Sequence, residues 1–134
     1  MKNKVFLSLI ALMISFSLSA QKYLINAYNE QTVSTCSGVF YDSGDSLGNY
    51  GINENYTVTF CSTTGILFIN FTSLNIALKD YLYVYDGPGT NYPLIKSLTY
   101  GSGAQTIYSS CGCLTFRFVS DKLSNQSGWR GVLG

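Results

Sequence analysis

The chain has 134 residues, with eight Lys and Arg against seven Asp and Glu, no histidine, and an apolar fraction of 46%. The lack of imidazole excludes histidine-dependent catalytic triads and His-ligated zinc sites. With no block of like charge, nucleic acid and anionic membranes are poor partners.

Residues 1–20 read as a secretory signal. Met1-Lys2-Asn3-Lys4 gives a positive start, Val5 to Leu18 is an apolar run broken only by serines, and Ser19-Ala20 supplies small residues before Gln21. The run is shorter than the roughly 20 residues that span a bilayer. No second apolar stretch follows, so no membrane span is expected after cleavage, and no cysteine near Ala20 points to a lipid anchor. The expected destination is secreted: extracellular, on the outer membrane, or in the periplasm. Residues 21–134 fit one domain, since about 100 to 150 residues is common for a single core, with 21–34 as a lead-in and 35–134 as the domain proper.

All eleven tyrosines lie after residue 20, among Thr, Ser, Gly, Asn, Val, Ile and Phe, a mixture that favours strands and tight turns. Val33 to Phe40 is expected as a first strand pair, followed by a turn-rich loop over Tyr41 to Asn55. Tyr56–Cys61 alternates, Ile66–Phe71 is a more buried run, and Tyr81–Tyr85 sets three tyrosines on one face with Leu82 and Val84 on the other. Asp86-Gly87-Pro88-Gly89 ends that strand as a turn. Leu94–Leu98, Gln105–Tyr108, Leu114–Val119 and Gly128–Leu133 complete seven or eight short strands, which at this spacing predict two packed antiparallel sheets.

Export implies an oxidising compartment, so Cys36, Cys61, Cys111 and Cys113 are disulfide candidates. Cys36 and Cys61 flank the long loop and form the expected pair, worth about 3–4 kcal/mol on the chain-entropy model. Cys111 and Cys113 have only Gly112 between them; an internal bridge, free thiols and an intermolecular bridge all stay open. The spacing is not that of a zinc ribbon or finger.

These features in this order resemble the CUB family, in the version found in secreted proteins of Bacteroidota. The likeness is carried by Cys36, Asp42-Ser43-Gly44-Asp45, Gly48-Asn49-Tyr50 and Asn53-Glu54-Asn55-Tyr56-Thr57 leading to Cys61. It continues through Asp80-Tyr81-Leu82-Tyr83-Val84-Tyr85-Asp86-Gly87, Gly112-Cys113-Leu114-Thr115-Phe116-Arg117-Phe118, Ser120-Asp121 and Gly128-Trp129. The resemblance implies a jelly-roll-like all-β sandwich, a bridge between the first two cysteines, and recognition of an extracellular protein or carbohydrate. It also implies a calcium site at one loop end, for which Asp80 and Asp121 match two family carboxylates. The third falls at about Ala77, and Lys79 stands beside Asp80, so the implied site is a weak one.

Three functional readings follow. The first is a secreted binding module with exposed tyrosines as contact area, although Tyr81, Tyr83 and Tyr85 also suit a ladder that only stabilises the sheet. The second is a structural or assembly subunit, or an accessory domain of a larger adhesin or protease, joined through a sheet edge or an unpaired cysteine. The third, a glycosidase using Asp80 with Asp121 or Asp42 with Asp45, lacks any supporting nucleophile or cofactor motif, so the chain is expected not to be an enzyme. Asn55, Asn70 and Asn125 begin Asn-X-Ser/Thr triplets, read as ordinary strand-end and loop residues.

Overall fold

The computed structural model describes residues 19–134; the expected signal segment lies, up to Leu18, outside the described residues. Ten strands run in chain order: β1 Lys22–Leu24, β2 Gln31–Ser34, β3 Gly38–Tyr41, β4 Asn55–Cys61, β5 Phe68–Asn75, β6 Tyr81–Asp86, β7 Leu94–Leu98, β8 Gln105–Tyr108, β9 Cys113–Val119 and β10 Gly128–Leu133. They form two five-stranded sheets in the orders β1-β3-β10-β5-β8 and β2-β4-β9-β6-β7. The all-β sandwich expected from the sequence is the architecture found.

The lead-in is more structured than expected. Lys22–Leu24 pairs with β3 and Gln31–Ser34 with β4, both in parallel, so one short stretch supplies an edge to each sheet. Backbone pairing at an edge asks little of side chains, which is why this polar stretch carries no strong alternation.

Alternation dictates the core. Val58 and Phe60 of β4, Leu82 and Val84 of β6, and Leu114, Phe116 and Phe118 of β9 point inward from one sheet. Phe40, Ile69, Phe71 and Trp129 meet them from the other. Phe40 lies within 5.4 Å, ring centre to ring centre, of Phe60, Phe116 and Trp129. Such tilted and edge-on contacts add about 0.5–1.5 kcal/mol each beyond burial.

The cysteine pairing departs from the expected one. Cys61 is bonded to Cys113, while Cys36 and Cys111 are exposed free thiols. Antiparallel β4 and β9 set Cys61 directly opposite Cys113, with Cα atoms 4.1 Å apart. Cys36, the partner expected for Cys61, lies beyond β2, whose register brings Ser34 opposite Cys61. No bridge forms within Cys111-Gly112-Cys113. Gly112 has φ +94°, and a Cβ there would sit 2.7 Å from the Gly65 carbonyl.

Closing a loop of about 50 residues is worth about 4 kcal/mol on the chain-entropy model. Cys61→Ala with Cys113→Ala should therefore lower stability by up to about that much in urea unfolding, and Cys36→Ser by far less. Titration of the native protein should give two free thiols; a larger loss in Cys36→Ser would mean that Cys36 holds the bridge.

Candidate functional site

Three loops meet at the end of the sandwich where β6 begins and β9 ends. The loop between β3 and β4 is tied to the loop after β9 by the Asn53 amide donating to the Asp121 carbonyl and the Tyr50 amide to the Gln126 carbonyl. Two buried aspartates fasten the rest.

Asp80 is fully buried. Its Oδ2 accepts from the Tyr50 hydroxyl at 2.6 Å and its Oδ1 from the Asp121 amide at 2.8 Å. The Tyr50 oxygen also accepts from the Ala77 amide at 2.8 Å, so the phenol ties its own loop to the one between β5 and β6, and the Asp80 carboxylate ties that one to the loop after β9. Burial and the Asp80 carboxylate both raise the Tyr50 pKa, keeping the hydroxyl a donor. The ring packs edge-on against Phe118 at 4.7 Å. Tyr50→Phe leaves that packing but strands Asp80 and the Ala77 amide. The expected loss is about 1–3 kcal/mol in urea unfolding, and a loss below about 0.5 kcal/mol would show the junction to be held by something else.

Asp42 is the second buried carboxylate, taking the Gly44 amide at 2.8 Å on Oδ1 and the Trp129 amide at 3.0 Å on Oδ2. This explains the Gly128-Trp129 pair. Gly128 has φ +77°, and a Cβ there would fall 2.1 Å from the Asp42 oxygen. Desolvation outweighs the two amides, with a smaller push from the nearby Glu54 charge, and lifts the Asp42 pKa from 3.8 to about 6.

A folded-state pKa above the unfolded one means that the native state holds the proton more tightly. The associated stability is full below pH 3.8 and is lost as pH rises through about 6. The gap corresponds to about 3 kcal/mol. The stability of the wild type relative to Asp42→Asn should therefore fall between pH 4 and pH 7 in paired urea titrations; a constant difference would refute the elevated pKa.

Asp121 is partly exposed, and its carboxylate caps its own turn, accepting from the Leu123 amide at 3.0 Å and the Ser124 amide at 3.4 Å. Those amides, the Leu123 one foremost, hold its pKa below the usual carboxylate value. Sequence reasoning missed Glu54 as a site residue. Its Oε1 accepts from the Ser43 hydroxyl and from the Gly51 amide at 3.0 Å, and its Oε2 is buried without a partner. Its signal was its place in the Asn53-Glu54-Asn55-Tyr56-Thr57 stretch that carries the family likeness, where it was given no role of its own.

The residues at Asp80 do not fit a tight calcium site. Calcium takes six to eight oxygens. Here each Asp80 oxygen already accepts a hydrogen bond, Asp121 caps its own turn with Oδ1, and Ala77 offers no carboxylate. Among the described residues no three His, Cys, Asp or Glu side chains come together as a metal set. Hydrogen bonds from Tyr50 and the Asp121 amide hold the loops together.

Beyond this junction the loops present apolar tips to solvent: Ile52 is 50% exposed, Leu78 64% and Leu123 71%. Lys79 and Lys122, both exposed, follow and precede two of them. Among the described residues, three of the four non-glycine positions with positive φ, namely Asp45, Asn53 and Lys79, are in these loops. The backbone there is held in conformations that unrestrained chains avoid.

The tyrosines of β6 stand elsewhere, on the outer face of the β2-β4-β9-β6-β7 sheet. Tyr81, Tyr83 and Tyr85 are half-buried, and Tyr81 and Tyr83 stack at 5.5 Å with planes 9° apart. They serve as a ladder along one strand as well as a partly open surface.

No family model matches the chain. Multiple epidermal growth factor-like domains protein 8 is 31% identical over 88 residues in rat and in human, covering 63% of this chain but 3% of that protein. The chain therefore spans a small fraction of the relatives it matches. Among solved structures, the CUB1-EGF-CUB2 region of human MASP-1/3 superposes with a TM-score of 0.65 at 17% identity, over 78% of this chain and 41% of that one. The MASP-1 CUB2 domain bound to Ca2+ gives 0.64 at 16% identity, over 78% and 97%. The extracellular region of zebrafish Gpr126/Adgrg6 gives 0.62 at 16% identity, over 76% and 14%. The fold is CUB-like.

Proposed function

We propose that this chain is a secreted, non-catalytic binding module that recognises an extracellular protein through the loop end. The observation that carries the reading is the contrast within that end: a rigid base stapled by Asp80, Tyr50 and Asp42, with Ile52, Leu78 and Leu123 exposed above it. Isolated apolar side chains on fixed backbone make good contacts, because little entropy is lost on binding. Flanking Lys79 and Lys122 add selectivity for an acidic partner surface. The extracellular region of zebrafish Gpr126/Adgrg6 among the fold neighbours supports the same reading.

Recognition is proposed to proceed without calcium, since both Asp80 oxygens and one Asp121 oxygen already accept hydrogen bonds and Ala77 supplies no third carboxylate. A second reading, a subunit of a covalent assembly, is favoured by the exposed free thiols of Cys36 and Cys111.

The test uses immobilised protein and the extracellular fraction of the producing culture, in EDTA and again in millimolar calcium. The wild type should retain a partner equally in both, and Leu78→Ser with Leu123→Ser should lose it while melting within a few degrees of the wild type. Capture that needs calcium, or a melting rise of several degrees on adding it, would overturn the metal-free reading. A site filled at a hundred times its dissociation constant adds about 2.7 kcal/mol. Capture unaffected by the double substitution would move the interface away from the loop end.

A further inference from the structure

Among the described residues, each five-stranded sheet has two edge strands, and three of these four are guarded. β1 carries Lys22, ion-paired with Asp45, and β7 carries Lys96 and a register shift between Val84 and Tyr85 of its neighbour. β2 starts from Glu30, held in the left-handed region at φ 62°. A charge or a bulge at an edge keeps another chain from pairing there. β8 has neither: it reads Gln105-Thr106-Ile107-Tyr108 in unbroken register with β5, and no Lys, Arg, Asp or Glu occurs from Ser97 to Phe116.

The direction of the β8 backbone follows from its neighbours. The Phe68 amide and carbonyl are both bonded to Gly134, on the β10 side of β5. Antiparallel bonding alternates along a strand, so Phe68 gives nothing to Tyr108 opposite it, whereas the Leu67 carbonyl, one residue earlier, accepts from the Ser109 amide at 2.8 Å. By the same alternation Ile107 bonds towards β5. The amides and carbonyls of Thr106 and Tyr108 therefore face outward, where β8 ends the sheet.

The side chains alternate with the backbone. Ile107 is buried in the core, while Thr106 and Tyr108 are exposed, Tyr108 to 65%. The Tyr108 ring lies 5.7 Å from that of Phe68, itself partly exposed, and Ile66, two residues before Phe68, is also exposed. A neutral border with aromatic groups thus runs beside outward-facing backbone groups. In a two-fold assembly a surface meets its own copy. An edge bearing one sign of charge would repel itself, and this one does not.

We infer that β8 pairs with the β8 strand of a second copy of this chain. Across a two-fold axis the strands run antiparallel, and the register that uses every outward group sets Thr106 opposite Tyr108 of the second copy and Tyr108 opposite its Thr106, with Ile107 at the axis. Each of these pairs exchanges both backbone hydrogen bonds, which joins two five-stranded sheets into one. On the outer face each Tyr108 ring meets a Thr106 across the seam, an aromatic side chain against a β-branched one. The free thiols take no part, because antiparallel strands carry the two copies of Cys111, three residues beyond β8, to opposite ends of the seam. The pairing is independent of the loop-end reading and of the covalent assembly.

Sedimentation of the purified full chain from micromolar to millimolar concentration should show a reversible equilibrium of monomer and dimer. The amides of Thr106 and Tyr108 should exchange with deuterium more slowly as the dimer fills. Thr106→Pro removes an outward N–H that β5 does not use, and Thr106→Lys brings two like charges to the seam. Each should weaken dimerisation at least tenfold, and Thr106→Lys should melt within a few degrees of the wild type at concentrations where both are monomeric, separating loss of the seam from loss of fold. Cys36→Ser with Cys111→Ser should dimerise as the wild type does, and so should Leu78→Ser with Leu123→Ser. A chain that stays monomeric at millimolar concentration would overturn the inference. So would a dimer that Thr106→Lys leaves intact, or one that disappears with the two free thiols.

Discussion

A carboxylate removed from water must be met by donors or lose its charge, and at Asp80 the donors come from two different loops. The Tyr50 hydroxyl and the Asp121 amide take one oxygen each, and Tyr50 in turn receives the Ala77 amide. Three loops separated by up to about 70 residues are thereby held to one another by a phenol and a carboxylate. The position of Ile52, Leu78 and Leu123 above them follows from that junction, since each is within three residues of a group that takes part in it.

Asp42 repeats the device where β3 leaves the core and β10 enters it. Its two oxygens hold the Gly44 and Trp129 amides, and the glycine before Trp129 gives the oxygen room. Here the solution is incomplete, and the carboxyl keeps its proton up to about pH 6. The loop end thus has, in Asp42, a carboxylate that charges only at a cost. Glu54, with one oxygen buried and unpartnered, adds to the negative field that makes this so.

The outer face of the second sheet follows a different rule. Alternation sends Thr57, Thr59, Thr115 and Arg117 outward because Val58, Phe60, Leu114 and Phe116 must go in. The turn after β6 then folds over the row until Thr115 is itself buried, its hydroxyl on the Gly87 carbonyl. The Cys61–Cys113 bridge continues the same outward row, so one register supplies both the covalent clamp and the facing threonines.

The sequence by itself determined the sandwich, because burial on one face imposes a period of two that Leu82 and Val84, or Leu114, Phe116 and Phe118, display without reference to anything distant. The resemblance to the CUB family also singled out Asp80, Asp121 and the Gly128-Trp129 pair. What the sequence could not carry was partnership. Cys61 lies 25 residues from Cys36 and 52 from Cys113, and strand register, a property of the assembled sheet, decided between them. The same holds for the lead-in, whose polar residues became two edge strands only because β3 and β4 offered free backbone groups. β8 became an edge for the same reason: β5 lies between it and β10, an adjacency written in no local pattern.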